Sequence, residues 1–229
     1  MAILVGIDGT GSDVIPSASR DAQYDIDFAD SFVRRIAGRG GANTKYLRGP
    51  VMLGGGLVDA VRNGARFIKE RRNAGAAGPV LLTGYSRGAA GAVAIAKRLQ
   101  RDDIYVDAMM LFDCVDRHLV IDAEIIPRNV RLVKHVIRDP RSGSRESFSN
   151  DGMRYYPQST VYPTAIQYMC THGGMGGCPW KQPNGVAGTT LINEGGVDGK
   201  TNISYDDDKR VSARIWNDLS GFLRTHKFL

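Results

Sequence analysis

One serine in this chain sits between two glycines at a spacing suited to covalent catalysis: Gly84-Tyr85-Ser86-Arg87-Gly88. The apolar run Pro79-Val80-Leu81-Leu82-Thr83 precedes it, and Ala89-Ala90-Gly91-Ala92-Val93-Ala94-Ile95-Ala96 follows. A buried strand that turns this sharply into a helix puts strained backbone angles on the serine and pushes its hydroxyl clear of the sheet. Glycine two residues to either side removes the Cβ atoms that would collide there. The helix N-terminus behind the serine favours negative charge developing on a substrate.

A serine nucleophile needs a base, a carboxylate to orient that base, and donors for the oxyanion. The chain has four histidines. His226 falls on a terminal helix and reads as surface, and His135 lies mid-strand as a core or edge residue. His118, just after Asp116, is an alternative base. His172 opens a glycine-rich stretch directly after the last strand signal, which makes it the expected base. For the acid, Asp113 ends the apolar run Met109-Met110-Leu111-Phe112 and so falls at the carboxyl edge of a sheet, where sites form. Asp116 and Asp139 are the alternatives, and Asp116 also suits a turn cap. The first loop, Gly6-Ile7-Asp8-Gly9-Thr10-Gly11-Ser12, would lie beside the serine if the two strands are neighbours. Backbone N–H groups of Gly9 and Thr10, with that of Arg87, are then the expected oxyanion donors. The same Asp-Gly-Thr-Gly also suits a phosphate-cradling loop of a metal-dependent phosphatase or phosphotransferase, with Asp8 as nucleophile or metal ligand. A plain tight turn is the third reading of that loop, and a binding module that makes no use of Ser86 is the non-enzymatic rival.

These groups need a frame. Residues 2–7 form a continuous apolar run suited to a parallel strand covered on both faces. A helix capped by Ser17 or Ser19 is expected to reach Ala37 with Phe28, Phe32 and Ile36 on one stripe. Residues 44–47 read as a short strand. Residues 57–72 read as a helix with Leu57, Val61, Ala65 and Ile68 inward. After the serine strand and its helix, strands are expected over 104–112, 131–137 and 161–169. Residues 208–223 carry Val211, Ile215, Leu219 and Phe222 at helical spacing. Strands separated by helical patterns predict an α/β fold with a mostly parallel sheet flanked by helices, in one domain spanning 1–229. The irregular stretch 171–200 reads as a substrate-contacting loop.

Composition narrows the class. At 229 residues, 42% hydrophobic and 24% charged, the chain has the profile of a globular domain with a sizeable core. The net charge of +6 suits an anionic membrane surface. Its basic residues (Arg62, Arg66, Lys69, Arg71, Arg72; Arg131, Lys134, Arg138, Arg141) are dispersed without interleaved aromatics. They read as a solvated surface and not as a nucleic-acid site. No stretch approaches the ~20 apolar residues of a membrane span. The start, Met1-Ala2-Ile3-Leu4-Val5-Gly6-Ile7-Asp8, lacks the pattern of a signal peptide. A cytoplasmic origin is expected, with export only by a route that leaves no such signal. Cys114, Cys170 and Cys178 form no fully paired set, and Cys170, Cys178 and His172 lack zinc-site spacing. The expected chemistry needs no cofactor.

Taken in order, Asp8-Gly9-Thr10-Gly11, Gly84-Tyr85-Ser86-Arg87-Gly88-Ala89, Phe112-Asp113-Cys114-Val115 and His172-Gly173-Gly174-Met175-Gly176-Gly177 resemble a known group. The pattern is similar to the α/β-hydrolase catalytic domain of type VI secretion phospholipase effectors and their uncharacterised relatives. The chain departs from it twice: Cys114 stands where that group has threonine, and Gly173-Gly174 where it has Ser-Asp. The resemblance implies an α/β-hydrolase-like fold, a triad of Ser86, Asp113 and His172, and hydrolysis of ester bonds in phospholipids or other lipids. It also leaves room for an immunity partner.

Overall fold

The computed structural model describes residues 1–12, 18–116, 121–148, 154–155 and 165–229. His118 and Ser17 lie outside them. In chain order the elements are β1 (Ile3–Ile7), α1 (Ala18–Asp27), α2 (Phe32–Ala37), β2 (Thr44–Leu47), α3 (Leu57–Asn73), β3 (Val80–Tyr85) and α4 (Arg87–Gln100). There follow β4 (Ala108–Phe112), β5 (Ile125–Ile126), β6 (Val133–Arg138), β7 (Arg154–Tyr155), β8 (Ile166–Tyr168), α5 (His172–Met175), β9 (Leu191–Asn193), β10 (Lys200–Ser204) and α6 (Tyr205–Thr225).

Among the described residues the main sheet has six strands in the order β2-β1-β3-β4-β6-β8, every pair parallel. This is an α/β fold in which alternate residues of each strand feed opposite cores. Ile3, Val5, Ile7, Val80, Leu82, Met109 and Leu111 pack towards α3 and α4. Leu4, Leu81, Ala108, Met110 and Phe112 pack towards α1, α2 and α6 on the other face. Burial on both faces explains why these strands read as unbroken apolar runs. No helix among the described residues is long and apolar enough to cross a membrane.

Three expectations are corrected. The helix predicted to reach Ala37 is two helices, α1 and α2, because Ser31 caps the second by accepting from the Arg34 N–H (2.9 Å). The break lets the Ser31 hydroxyl donate to the Asp8 carboxylate, which a continuous helix would forbid. Phe28, Phe32 and Ile36 are all buried nonetheless. The strand expected from 104 begins at Ala108, since only Val106 of the preceding residues bridges to a neighbour, Val130. The 171–200 stretch contains α5 and, with β10, the antiparallel β9–β10 hairpin. Residues 161–164 of the last expected strand lie outside the described residues, and β8 covers 166–168.

The two elbow glycines are sterically required. A Cβ on Gly84 would lie 2.6 Å from the Ala89 Cα, and one on Gly88 would lie 2.1 Å from the Asp8 carbonyl oxygen. Backbone on both sides cannot yield, so Gly88→Ala is expected to cost more than about 3 kcal/mol and lower Tm sharply. Gly221→Ala on α6, with open space around it, is expected to stabilise by about 0.5–1 kcal/mol. Thermal denaturation of the two variants beside the wild type checks both.

Candidate active site

The central parallel strands β1, β3, β4 and β6 deliver their carboxyl ends to one edge, and the chemistry gathers there. Ser86 leaves β3 at φ 55°, ψ −129°, a backbone state that costs of order 1–3 kcal/mol outside glycine. Its own peptide groups hold it in place. Its N–H donates to Phe112 O (3.0 Å), and its carbonyl accepts from Ala89 (3.0 Å) and Val115 (3.2 Å). Asp113, directly after β4, also has positive φ (43°), and its N–H donates to Val136 O (2.8 Å).

His172 closes the group. Its Nε2 lies 2.9 Å from Ser86 Oγ and its Nδ1 lies 2.6 Å from Asp113 Oδ2. An ionised carboxylate can only accept, so Nδ1 carries the proton and Nε2 is left to accept from the serine hydroxyl. Burial pushes the Asp113 carboxyl up, but the His172 hydrogen bond and the charges of His172 and Arg138 outweigh it. They hold it well below the usual carboxylate range. The arrangement is that of nucleophile, base and orienting acid, all three nearly buried.

Arg138 was read as part of a solvated basic surface, and the structure corrects this: it is 5% exposed. It ends β6, donates Nη1 to Asp113 Oδ2 (2.5 Å) and gives its backbone N–H to Asp113 Oδ1 (3.2 Å). Its remaining donors take the carbonyls of Ser144, Arg145 and Phe148. Nη1 is 3.4 Å from His172 Nδ1, but both atoms are donors and form no bond. One guanidinium therefore fixes the acid and the 144–148 segment together. The Phe148 ring stands edge-on to the imidazole at 5.3 Å.

The peptide of His172 is held on both sides. Its N–H donates to Ser144 Oγ (2.8 Å), and that hydroxyl donates to Glu194 (3.0 Å). Its carbonyl accepts from Tyr85 Oη (2.9 Å), the residue before the nucleophile. Asp208 of α6 accepts from the Thr171 N–H (2.8 Å) and hydroxyl (2.9 Å), while Thr171 caps α5. The glycines after His172 are packing requirements: a Cβ on Gly174 would lie 2.3 Å from Cys170 Sγ. Sequence reasoning missed Arg138, Ser144, Glu194 and Asp208. Arg138 was visible as a charged residue ending an apolar run but was read as solvent-facing; the other three carried no local signal.

The other candidates fall elsewhere. Asp116 accepts from the Ala123 N–H (2.7 Å), a turn role. Asp139 caps the short turn at residues 140–142 and pairs with Arg141 (2.6 Å), which holds its carboxyl down near 2. His135 is buried between β4 and β8 and accepts from the Cys114 N–H (3.2 Å); burial lowers it to about 4 and keeps it neutral. Cys114, Cys170 and Cys178 are free thiols. A cavity of about 650 Å³ opens at the opposite, amino-terminal edge of the sheet, lined by Pro79, Asp107, Arg131 and His226, away from the triad.

The first loop lies beside the elbow, as β1–β3 pairing requires. Of the expected oxyanion donors, the Gly9 N–H is already given to Asp8 Oδ1 (3.0 Å). The Thr10 N–H has no acceptor among the described residues, and Arg87 opens the first turn of α4. Of the expected donors, Gly9 is thus engaged by its own neighbour's carboxylate. Asp8 itself is fully buried, and its carboxylate also accepts from Ser31 and from Tyr46 (2.9 Å). Burial raises it to about 6 against these bonds. A carboxylate so enclosed has no face open to a phosphorus atom or a metal ion.

No family model and no curated protein matches the chain. Five solved chains do. One is the protein Atu2452 of unknown function from Agrobacterium tumefaciens str. C58, at 20% identity over 61% of this chain and 68% of that one, with a TM-score of 0.30. A likeness this loose adds nothing about fold or chemistry.

Removing the guanidinium leaves a buried carboxylate with less compensation. Arg138→Met is expected to cost about 3–5 kcal/mol near neutral pH. Asp113 is held below its unfolded value, so the stability it contributes is present above about pH 4 and is lost as pH falls further. The gap between variant and wild type should therefore shrink below about pH 4, as urea titrations across pH would measure.

Proposed function

We propose that this protein is a serine hydrolase of carboxylic esters working through an acyl-enzyme. One observation carries the reading: Ser86 Oγ, His172 and Asp113 lie in a hydrogen-bonded line of 2.9 and 2.6 Å at a strained elbow. In the proposed reaction His172 Nε2 takes the Ser86 proton as Oγ attacks the ester carbonyl. The oxyanion is held by the backbone N–H groups of Thr10 and Arg87. Asp113 keeps the imidazole in the correct tautomer and offsets the charge of the imidazolium. As the tetrahedral intermediate collapses, His172 returns the proton to the departing alcohol. Water, deprotonated by His172, then attacks the acyl group, and Ser86 recovers its proton.

Lipid esters, phospholipids among them, are the proposed substrate class. The order of motifs supports this, and so does one feature of the surface. Between β2 and α3 a tight turn presents Met52 (50% exposed) and Leu53 (79% exposed) to solvent. Arg87, the residue after the nucleophile, donates Nη1 to Met52 O (2.6 Å) and ties that turn to the site. An apolar chain leaving the ester carbonyl on this side would cover both side chains, a contact worth about 1–2 kcal/mol. Synthesis in the cytoplasm belongs to the same proposal.

A fluorophosphonate probe should label Ser86, and Ser86→Ala should abolish both labelling and ester hydrolysis, by at least about a thousandfold. An adduct on another residue, or none on folded protein, would overturn the reading. With p-nitrophenyl esters, Met52→Ser with Leu53→Ser should lower kcat/KM about tenfold for long acyl chains and leave butyrate unchanged; an equal effect on both would remove the acyl-contact assignment.

A further inference from the structure

The reaction just described uses the Thr10 N–H but says nothing of what aims it. A trans peptide is planar, and its C=O and N–H point in opposite directions. The Gly9 carbonyl and the Thr10 N–H belong to one such plane, so whatever fixes the first also fixes the second. Tyr24 fixes the first: its hydroxyl donates to Gly9 O at 2.7 Å. That hydroxyl is itself held by accepting from the Gly49 N–H at 2.7 Å. The Tyr24 ring cannot swing away, because it stacks on Phe28 at 4.3 Å and a Cβ on Gly11 would lie 2.7 Å from it. Burial pushes the phenol well above its ordinary value, so it stays a donor throughout the working range.

The preceding plane is fixed as well. The Gly9 N–H is taken by Asp8 Oδ1, and the other side of that carboxylate is held by Ser31 and Tyr46. Downstream, the Gly11 N–H donates to Pro50 O at 2.9 Å. Of the N–H groups at 9, 10 and 11, only that of Thr10 is without an acceptor among the described residues. A loop with its neighbouring polar groups satisfied and one donor left over is arranged around that donor.

We infer that Tyr24 is a positioning residue for oxyanion stabilisation, its hydroxyl turning the Gly9–Thr10 peptide so that the Thr10 N–H faces the reacting carbonyl, with Asp8 fixing the peptide before it. This rests on the hydrolase reading and extends it to residues that touch neither Ser86 nor His172. A donor aimed at the transition state raises kcat, whereas uniform substrate binding would appear in KM.

Tyr24→Phe keeps the ring and deletes one hydroxyl. It should lower kcat for p-nitrophenyl butyrate about tenfold, less than the loss on deleting an oxyanion donor outright, with KM within twofold. The rate of fluorophosphonate labelling should fall in parallel, because that adduct also places an oxygen at the oxyanion position. The pH profile of kcat/KM should keep its shape, since the triad is untouched. A kcat within twofold of wild type, or a loss confined to KM, would overturn the inference. If Tyr24→Phe fails to fold, the Asp8 pair decides. Asp8→Ala should show the same loss in kcat alone, and Asp8→Asn, whose amide oxygen still accepts from Gly9, should restore it to within about threefold. Full kcat in Asp8→Ala, or no recovery in Asp8→Asn, would count as failure. Wild-type protein that takes no label at Ser86 fails the hydrolase reading before any variant is compared.

Discussion

The Asp113 carboxylate is taken wholly out of water, and the site is built around making that tolerable. Stripping an ion of its hydration costs several kcal/mol unless donors replace the lost water. Here the replacements come from two places in the sequence: the imidazole of His172, and Arg138 at the end of β6, which gives both its guanidinium and its backbone N–H. Each donor drags its own segment to the sheet edge. The guanidinium brings the 144–148 loop, and the imidazole brings α5 with Asp208 and Glu194 behind it. A charge that must be satisfied thereby dictates where His172 sits.

Asp8 shows what happens without a cation in contact. It is as deeply buried as Asp113, but its partners are hydroxyls and one N–H group, and its carboxyl is raised instead of lowered. Neutral donors can hold a carboxylate in place without making it comfortable. In the proposed reaction Asp113 must stay ionised to meet an imidazolium, whereas the inferred role of Asp8 is only to hold backbone.

Much of this was legible in the chain. β1 and the elbow strand announced themselves as apolar runs because both faces of the sheet are covered there. Ser86, Asp113 and His172 were readable because each stands at the carboxyl end of such a run or just beyond it. What failed is instructive. Arg138 was misread because a charged residue between Ile137 and Asp139 looks the same whether solvent or a buried carboxylate awaits it. The break between α1 and α2 was invisible because the Phe28, Phe32, Ile36 stripe is satisfied by either geometry, and only the Ser31–Asp8 contact decides. Glu194 and Asp208 act across contacts 50 and 37 residues long, which no local pattern encodes.

That long reach has a consequence for the order in which the site assembles during synthesis. The elbow needs the chain only as far as about residue 115, since β1, β3, α3 and α4 pack on one another and Phe112 and Val115 hold the Ser86 peptide. The base does not. Thr171 has no anchor until α6 supplies Asp208, and Ser144 has no acceptor until the β9–β10 hairpin supplies Glu194. A ribosome-bound chain would therefore present Ser86 at its elbow long before His172 could be held against it. Ordering the parts in this way keeps the proposed hydrolytic centre unassembled until α6 has been made.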